Sequence, residues 1–223
     1  MKRNVVLTIC CLIGFLAVLL QASNSFAAVG CSLNDPDRDV KRIFPDSTGY
    51  KTKITSIKES GGEKLAKNIE EKLGDKLDPI FEAPDVPHSF YTVMKGKEVV
   101  GYIHGVNQKG MYGGMQIFLA LDPKGKIMDF FYQKMSSPEA NKFKDKKFVG
   151  QFKGLTLVDF YHHDEMKGTE CSEDKIAKIK SPSENNRKDF QATLRGVKMN
   201  LILCDNTVLG NIAEANNAKM KGM

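Results

Sequence analysis

Four runs of sequence decide the fold: Phe90-Tyr91-Thr92-Val93-Met94, Val99-Val100-Gly101-Tyr102-Ile103, Gln116-Ile117-Phe118-Leu119-Ala120-Leu121 and Lys126-Ile127-Met128-Asp129-Phe130-Phe131-Tyr132. They are short, rich in β-branched and aromatic residues, and carry a period near two, so each predicts a strand. Lys95-Gly96-Lys97-Glu98 separates the first pair and Asp122-Pro123-Lys124-Gly125 the second. Pro early and Gly late in such turns supply the backbone angles that a hairpin needs. Consecutive antiparallel strands make a meander, whose apolar face must be covered by helices.

The flanking sequence offers those helices. Upstream, Tyr50 to Lys58 reads as a strand with imperfect alternation, and Gly61-Gly62 opens an amphipathic helix carrying Leu65, Ile69 and Leu73, with Gly74 as its stop. Residues 78–87, with Pro79, Pro84 and Pro87, read as loop. Downstream, Ser137-Pro138-Glu139-Ala140 starts a short helix that runs into a Lys-rich stretch from Lys142 to Lys153. The last strong element starts at Ser183 as N-cap and carries a stripe of Phe190, Leu194, Val197 and Leu201. The expected fold class is therefore α+β, one antiparallel sheet with helices packed on it, over residues 50–210. Residues 28–49 are expected to be a tether and lead-in, and residues 211–223 a polar tail.

The N-terminus reads as an address. Met1-Lys2-Arg3-Asn4 is a basic start, Val5 to Leu20 a mostly apolar run, and Ser25-Phe26-Ala27 a small-residue cleavage site, the layout of a secretory signal over residues 1–27. The apolar run is shorter than the roughly 20 residues that span a bilayer. An alternative stands beside it: Ala28-Val29-Gly30-Cys31 is similar to a bacterial lipoprotein box, which would end the signal at residue 30 and acylate Cys31. The expected location is exported, in the periplasm or on the outer face of the cytoplasmic membrane, with a lipid anchor if Cys31 is acylated. Cys171 and Cys204 would remain in an oxidising compartment, their pairing unreadable from sequence.

Composition excludes several classes. The chain has 223 residues, 33 basic against 27 acidic, for a net charge of +6. Without Lys2 and Arg3 the 33 fall to 31, leaving +4. Lysines interleaved with acids and the absence of an aromatic-basic pattern argue against nucleic acid as a partner. No Gly-x-Ser-x-Gly elbow, phosphate loop, dinucleotide fingerprint or His-Glu-x-x-His occurs, which leaves hydrolase and nucleotidase readings without support. No metal site is expected. His162-His163-Asp164-Glu165 reads as a solvated turn, because adjacent histidines on a strand point to opposite faces. His104 with Met111 and Met115 has no cysteine near it to make a copper site.

The remaining signal lies between Gly101 and Gly154. Lys109-Gly110-Met111-Tyr112-Gly113-Gly114 is a glycine-rich loop, where backbone amides can approach a ligand or simply turn tightly between strands. In order and spacing, Tyr112-Gly113-Gly114, Asp122 to Ile127, Ser136-Ser137-Pro138-Glu139 and Phe148-Val149-Gly150-Gln151-Phe152 resemble the FMN-binding domain of bacterial flavoproteins. That family includes the flavin-carrying subunits of the sodium-pumping NADH:quinone reductase and of related ion pumps. The resemblance spans roughly residues 88–204. It implies an FMN cofactor, with Tyr112, Gly113 and Gly114 lining the flavin and Ser137 bonding its phosphate.

The resemblance breaks at the attachment motif. Members that hold flavin covalently do so through a threonine in Ser-Gly-Ala-Thr, with an aspartate upstream. Here Asp189-Phe190-Gln191-Ala192-Thr193 keeps Ala-Thr, lacks Ser-Gly and brings the aspartate closer. Thr193 also falls inside a helical segment, where its hydroxyl tends to bond back to its own backbone. A second register, Ser181-Pro182-Ser183-Glu184, lacks the threonine. Thr193 thus stays a weak attachment candidate, and noncovalent FMN is favoured over covalent. The expected function is an exported FMN-binding electron carrier at the cell envelope, partnered by a membrane-bound redox complex or another envelope protein. The alternative is a non-catalytic binding lipoprotein on the same scaffold that has lost flavin.

Overall fold

Five strands run in sequence order across one antiparallel sheet: β1 (Gly49–Thr55), β2 (His88–Lys95), β3 (Glu98–Lys109), β4 (Gly114–Leu121) and β5 (Ile127–Met135). This computed structural model describes residues 30–161, 163 and 174–213. The expected signal, Cys171 and most of the C-terminal tail lie outside them. The two hairpin turns form where the sequence placed them, with Gly96 at φ 62° and Gly125 at φ 76°. β3 extends to Lys109, so His104 and Gly105 lie within the strand and the glycine loop shrinks to residues 110–113. Gly105 is needed there because a Cβ would stand 2.6 Å from the Phe118 ring.

The helices are α1 (Pro36–Ile43), α2 (Ile57–Leu73), the short α3 (Ala140–Phe143) and α4 (Lys146–Val149), and the long α5 (Arg187–Thr207). α2 starts earlier than Gly61-Gly62: Ser56 and Glu59 form a reciprocal capping box, and the two glycines become a kink inside the helix. α5 starts later than Ser183: Asn186 is the N-cap, its side chain accepting from the Asp189 amide. Ser183 is instead occupied with Glu139, to which its hydroxyl donates at 2.5 Å.

One face of the sheet carries Phe90, Val106, Ile117, Leu119, Leu121, Phe130 and Tyr132, all buried beneath α2, α5 and residues 140–160. α5 lies close: a Cβ at Gly196 would meet Ile117 at 2.6 Å. Asn200 donates to the carbonyls of His104 and Ile117, tying the helix to the sheet.

The opposite face is also covered, contrary to the expected tether. Cys31, Leu33, Val40 and Phe44 pack on Tyr91, Val93, Ile103, Phe118 and Ala120. The Phe44 ring lies so near Gly101 that a Cβ there would clash at 2.5 Å. Residues 31–47 therefore belong to the folded domain, because β4 presents apolar side chains on both faces and both must be buried.

Candidate functional site

The glycine loop, the Ser136–Glu139 turn and the first turn of α5 meet in one seam. Gly110 N donates to Gly113 O across the loop, and Ser136 N donates to Gly114 O. Gly113, at φ 133°, lies over Ser136. Ser137 Oγ accepts from Asn186 Nδ2 at 3.2 Å, and Ser183 Oγ accepts from the Asn185 and Asn186 amides while donating to Glu139. Tyr112, Gly113, Gly114 and Ser137, the residues singled out from sequence, thus lie along the same seam. Tyr112 stands beside Met111 at the loop tip, both 52% exposed.

One amide of the seam already has an anion. Asp189 is fully buried, and its carboxylate accepts from Met111 N at 2.6 Å and from Asn186 Nδ2 at 2.5 Å. Gly110 is required by that approach, since a Cβ would stand 2.5 Å from Asp189 Oδ1. Glu139 adds a second carboxylate, held below the usual range by the Lys142 ammonium and the Ser183 hydroxyl. A helix N-terminus attracts negative charge, and here two side chains of the chain itself supply it. In the sequence Asp189 stands out only as lying too close to Thr193; its bond to a loop 78 residues away carries no local signal.

Thr193 is not in the seam. It lies in the second turn of α5, fully buried, where its hydroxyl donates to Asp189 O at 2.7 Å and meets Tyr132 Oη at 2.6 Å. Burial pushes the Tyr132 phenol far up, so it remains a neutral donor to Thr193.

Two clefts flank this arrangement. One, of about 740 Å³, is lined by Lys142, Lys147, Phe148, Gln151, Lys180 and Pro182. Gln151 exchanges two hydrogen bonds with the Lys180 backbone, fixing the wall. The other, of about 370 Å³, lies between residues 75–81, the end of β3 and α5. Arg195 braces it: all its N–H groups are engaged, with Asp75, Glu82, Gln108 and the Lys76 carbonyl. The buried Glu82 and this guanidinium had no sequence signal, being 113 residues apart.

Elsewhere, His163 is not a solvated turn residue. It is buried and pairs with Asp174 at 2.9 Å, while His162, Asp164 and Glu165 lie outside the described residues. Among the described residues no group of three or more potential ligands can hold a metal ion. His104 lies under α5, bonded through Nδ1 to Asn200, and not beside the exposed Met111. Cys31 is 2% exposed, paired with His88 in an isolated bridge, and its thiol is pushed up to about 12 by burial. Cys204 is a free buried thiol.

No protein-family model matches the chain, and no curated protein matches it. Among solved structures it is similar to the crystal structure of NqrC from Shewanella oneidensis, with a TM-score of 0.51 and 11% identity. The match covers 82% of this chain and 90% of that one. At this identity the likeness is one of fold, and the α+β meander expected from sequence is the architecture found.

Proposed function

We propose that the chain is an exported FMN-binding protein that holds flavin without a covalent bond and serves as an electron carrier at the cell envelope. The observation that carries this reading is the fold shared with NqrC, in which the motif-bearing segments Tyr112–Gly114 and Ser136–Glu139 meet beside the start of α5. It agrees with the sequence resemblance to flavin-carrying subunits of sodium-pumping NADH:quinone reductase.

The residues discriminate between modes of holding the group. Attachment at Thr193 does not fit, because a buried hydroxyl with two short hydrogen bonds offers no room for a phosphate. A phosphate in the seam would face Asp189 and Glu139. The residues that fit are Lys147 and Lys180 in the adjoining cleft, which have no ion-pair partner among the described residues, with Phe148 as its apolar wall and Asp145 as its one acid. Bound FMN would supply one- and two-electron chemistry, while the protein supplies binding and tuning.

The envelope location rests on residues 1–27. Of the two processing alternatives, cleavage after Ala27 accords with the packing of Cys31, because an acylated cysteine must leave the domain to reach a bilayer. No helix among the described residues is long and apolar enough to cross a membrane; a membrane-bound redox complex would be met through a surface of the folded domain. Purified mature protein should be yellow or should quench micromolar FMN fluorescence. Colourless protein that leaves FMN emission unchanged overturns the reading. Intact mass of material from native membranes reports cleavage, acylation and flavin together.

A second reading, a flavin-free binding subunit for an envelope partner, is favoured by one observation: Asp189 occupies the loop amide that a ligand would otherwise take. Capture of a defined partner by flavin-free protein would support it.

A further inference from the structure

The 370 Å³ cleft on the far side of the glycine loop has features that the flavin reading does not use. Its floor is apolar, built from Leu77, Phe81 and Ala192, of which Leu77 and Ala192 back directly onto the main core. Its wall is fixed by the Arg195 clamp. Glu82 takes two of the guanidinium bonds, and Gln108 Nε2 donates to the same carboxylate. This clamp leaves Arg195 no donor for a ligand. The two acids of the lining are likewise committed: Asp75 to Arg195, and Asp78 to the amides of Ile80 and Phe81. At the rim, Lys109 and Lys188 have no partner among the described residues.

A cavity of a few hundred Å³ with apolar walls and a few placed polar groups is the common form of a small-molecule site. Its charge selects the ligand. Two unpaired ammonium groups over an apolar floor favour an anion, and the floor favours a flat body over a hydrated inorganic ion. We propose that this cleft is a binding site for a small aromatic anion, a carboxylate or sulfonate whose ring lies on Leu77, Phe81 and Ala192 and whose charge meets Lys109 and Lys188. This site is separate from the surface assigned above to flavin.

The probe is 8-anilinonaphthalene-1-sulfonate, titrated into the folded mature protein. Saturable one-to-one enhancement is expected, weakened by salt. The pair Lys109→Glu and Lys188→Glu should weaken binding by about tenfold or more, since each reversal replaces an attraction by a repulsion near the surface. The control pair Lys97→Glu and Lys124→Glu, which changes net charge equally in the hairpin turns, should not. Ala192→Phe fills the floor and should abolish binding; a cooperative thermal transition in that variant confirms that it folds. Equal affinity in both charge-reversal pairs, or unsaturable binding, overturns the proposal. Displacement of the probe by FMN overturns the separateness of the two sites. Probe binding in a protein that ignores FMN leaves this site standing and removes the flavin reading alone.

Discussion

Replacing Thr193 with valine tests both the core of α5 and the mode of flavin attachment. Valine keeps the shape and β-branching of threonine, so helix propensity and packing volume change little. What is lost is the hydroxyl that accepts from Tyr132 Oη at 2.6 Å and donates to Asp189 O at 2.7 Å. The Asp189 carbonyl lies inside α5 and keeps its helical role. Tyr132 Oη is left in a fully buried position without an acceptor. Orphaning a buried polar donor costs about 1–3 kcal/mol, so Thr193→Val should destabilise by about 2 kcal/mol. Tyr132→Phe alone leaves the Thr193 hydroxyl donating to Asp189 O and should cost about 1 kcal/mol. The double variant removes both partners and should cost little more than Tyr132→Phe, giving a coupling energy of about 1–2 kcal/mol. Urea unfolding reads this directly. With a slope of about 2 kcal/mol/M, the Thr193→Val midpoint should fall by about 1 M at unchanged slope. Additive single effects, or a midpoint within experimental scatter of the parent, would refute the buried pair. Loss of a flavin mass on the same substitution would refute the noncovalent assignment.

Three further outcomes are expected. Burial lowers the His88 pKa from 6.5 to about 4 and holds His104 well below its ordinary value. The unfolded chain therefore takes up more protons, and stability should fall as pH drops from about 6.5 to about 4. His88 contributes up to about 3 kcal/mol of that loss, so in urea titrations at stepped pH His88→Phe should flatten the dependence. Glu82→Gln removes the buried carboxylate that takes two of the five guanidinium bonds, leaving the more exposed Asp75 as the counter-ion, and should cost about 1–3 kcal/mol, read as a lowered unfolding midpoint; Arg195→Lys should lower the midpoint as well, because one ammonium cannot make the five bonds. Cys31, buried and raised to about 12, should resist iodoacetamide at pH 8 in the folded protein and react in urea; rapid labelling of the native form would show that residues 31–47 detach from the sheet.

The meander was legible because its signals are local: a period of two, and glycines where the turns need positive φ. The cover on the outer face was not, because Cys31, Leu33, Val40 and Phe44 are too widely spaced to show any period. One clue was present in β4. Ile117 to Leu121 is apolar without alternation, and a strand with one wet face would alternate. Helix starts slipped for a related reason. Ser183 is a good N-cap residue, yet its hydroxyl goes to Glu139, and Asn186 caps the helix instead. The back-bond of Thr193 follows from its helical position; its phenol partner, 61 residues away, does not.

The same distinction bears on the candidate site. The sequence shows that Ser-Gly is missing before Ala192-Thr193, which reads as loss. Phe190 and Gln191 stand in its place, and the structure shows what the residue before them does. Asp189 has entered the first turn of α5, where it satisfies a loop amide and the N-cap side chain at once. A phosphate about 5 Å from that carboxylate would be repelled by about 3 kcal/mol for each unit of its charge at an effective dielectric near 20. Glu139 would add to this. Lysines that can offset such repulsion line the two neighbouring clefts, Lys147 and Lys180 in one and Lys109 and Lys188 in the other. On the proposed reading a flavin phosphate lies toward Lys147 and Lys180 and leaves α5 closed by its own carboxylate, while Thr193 stays in the core, its hydroxyl held by Tyr132 and the Asp189 carbonyl.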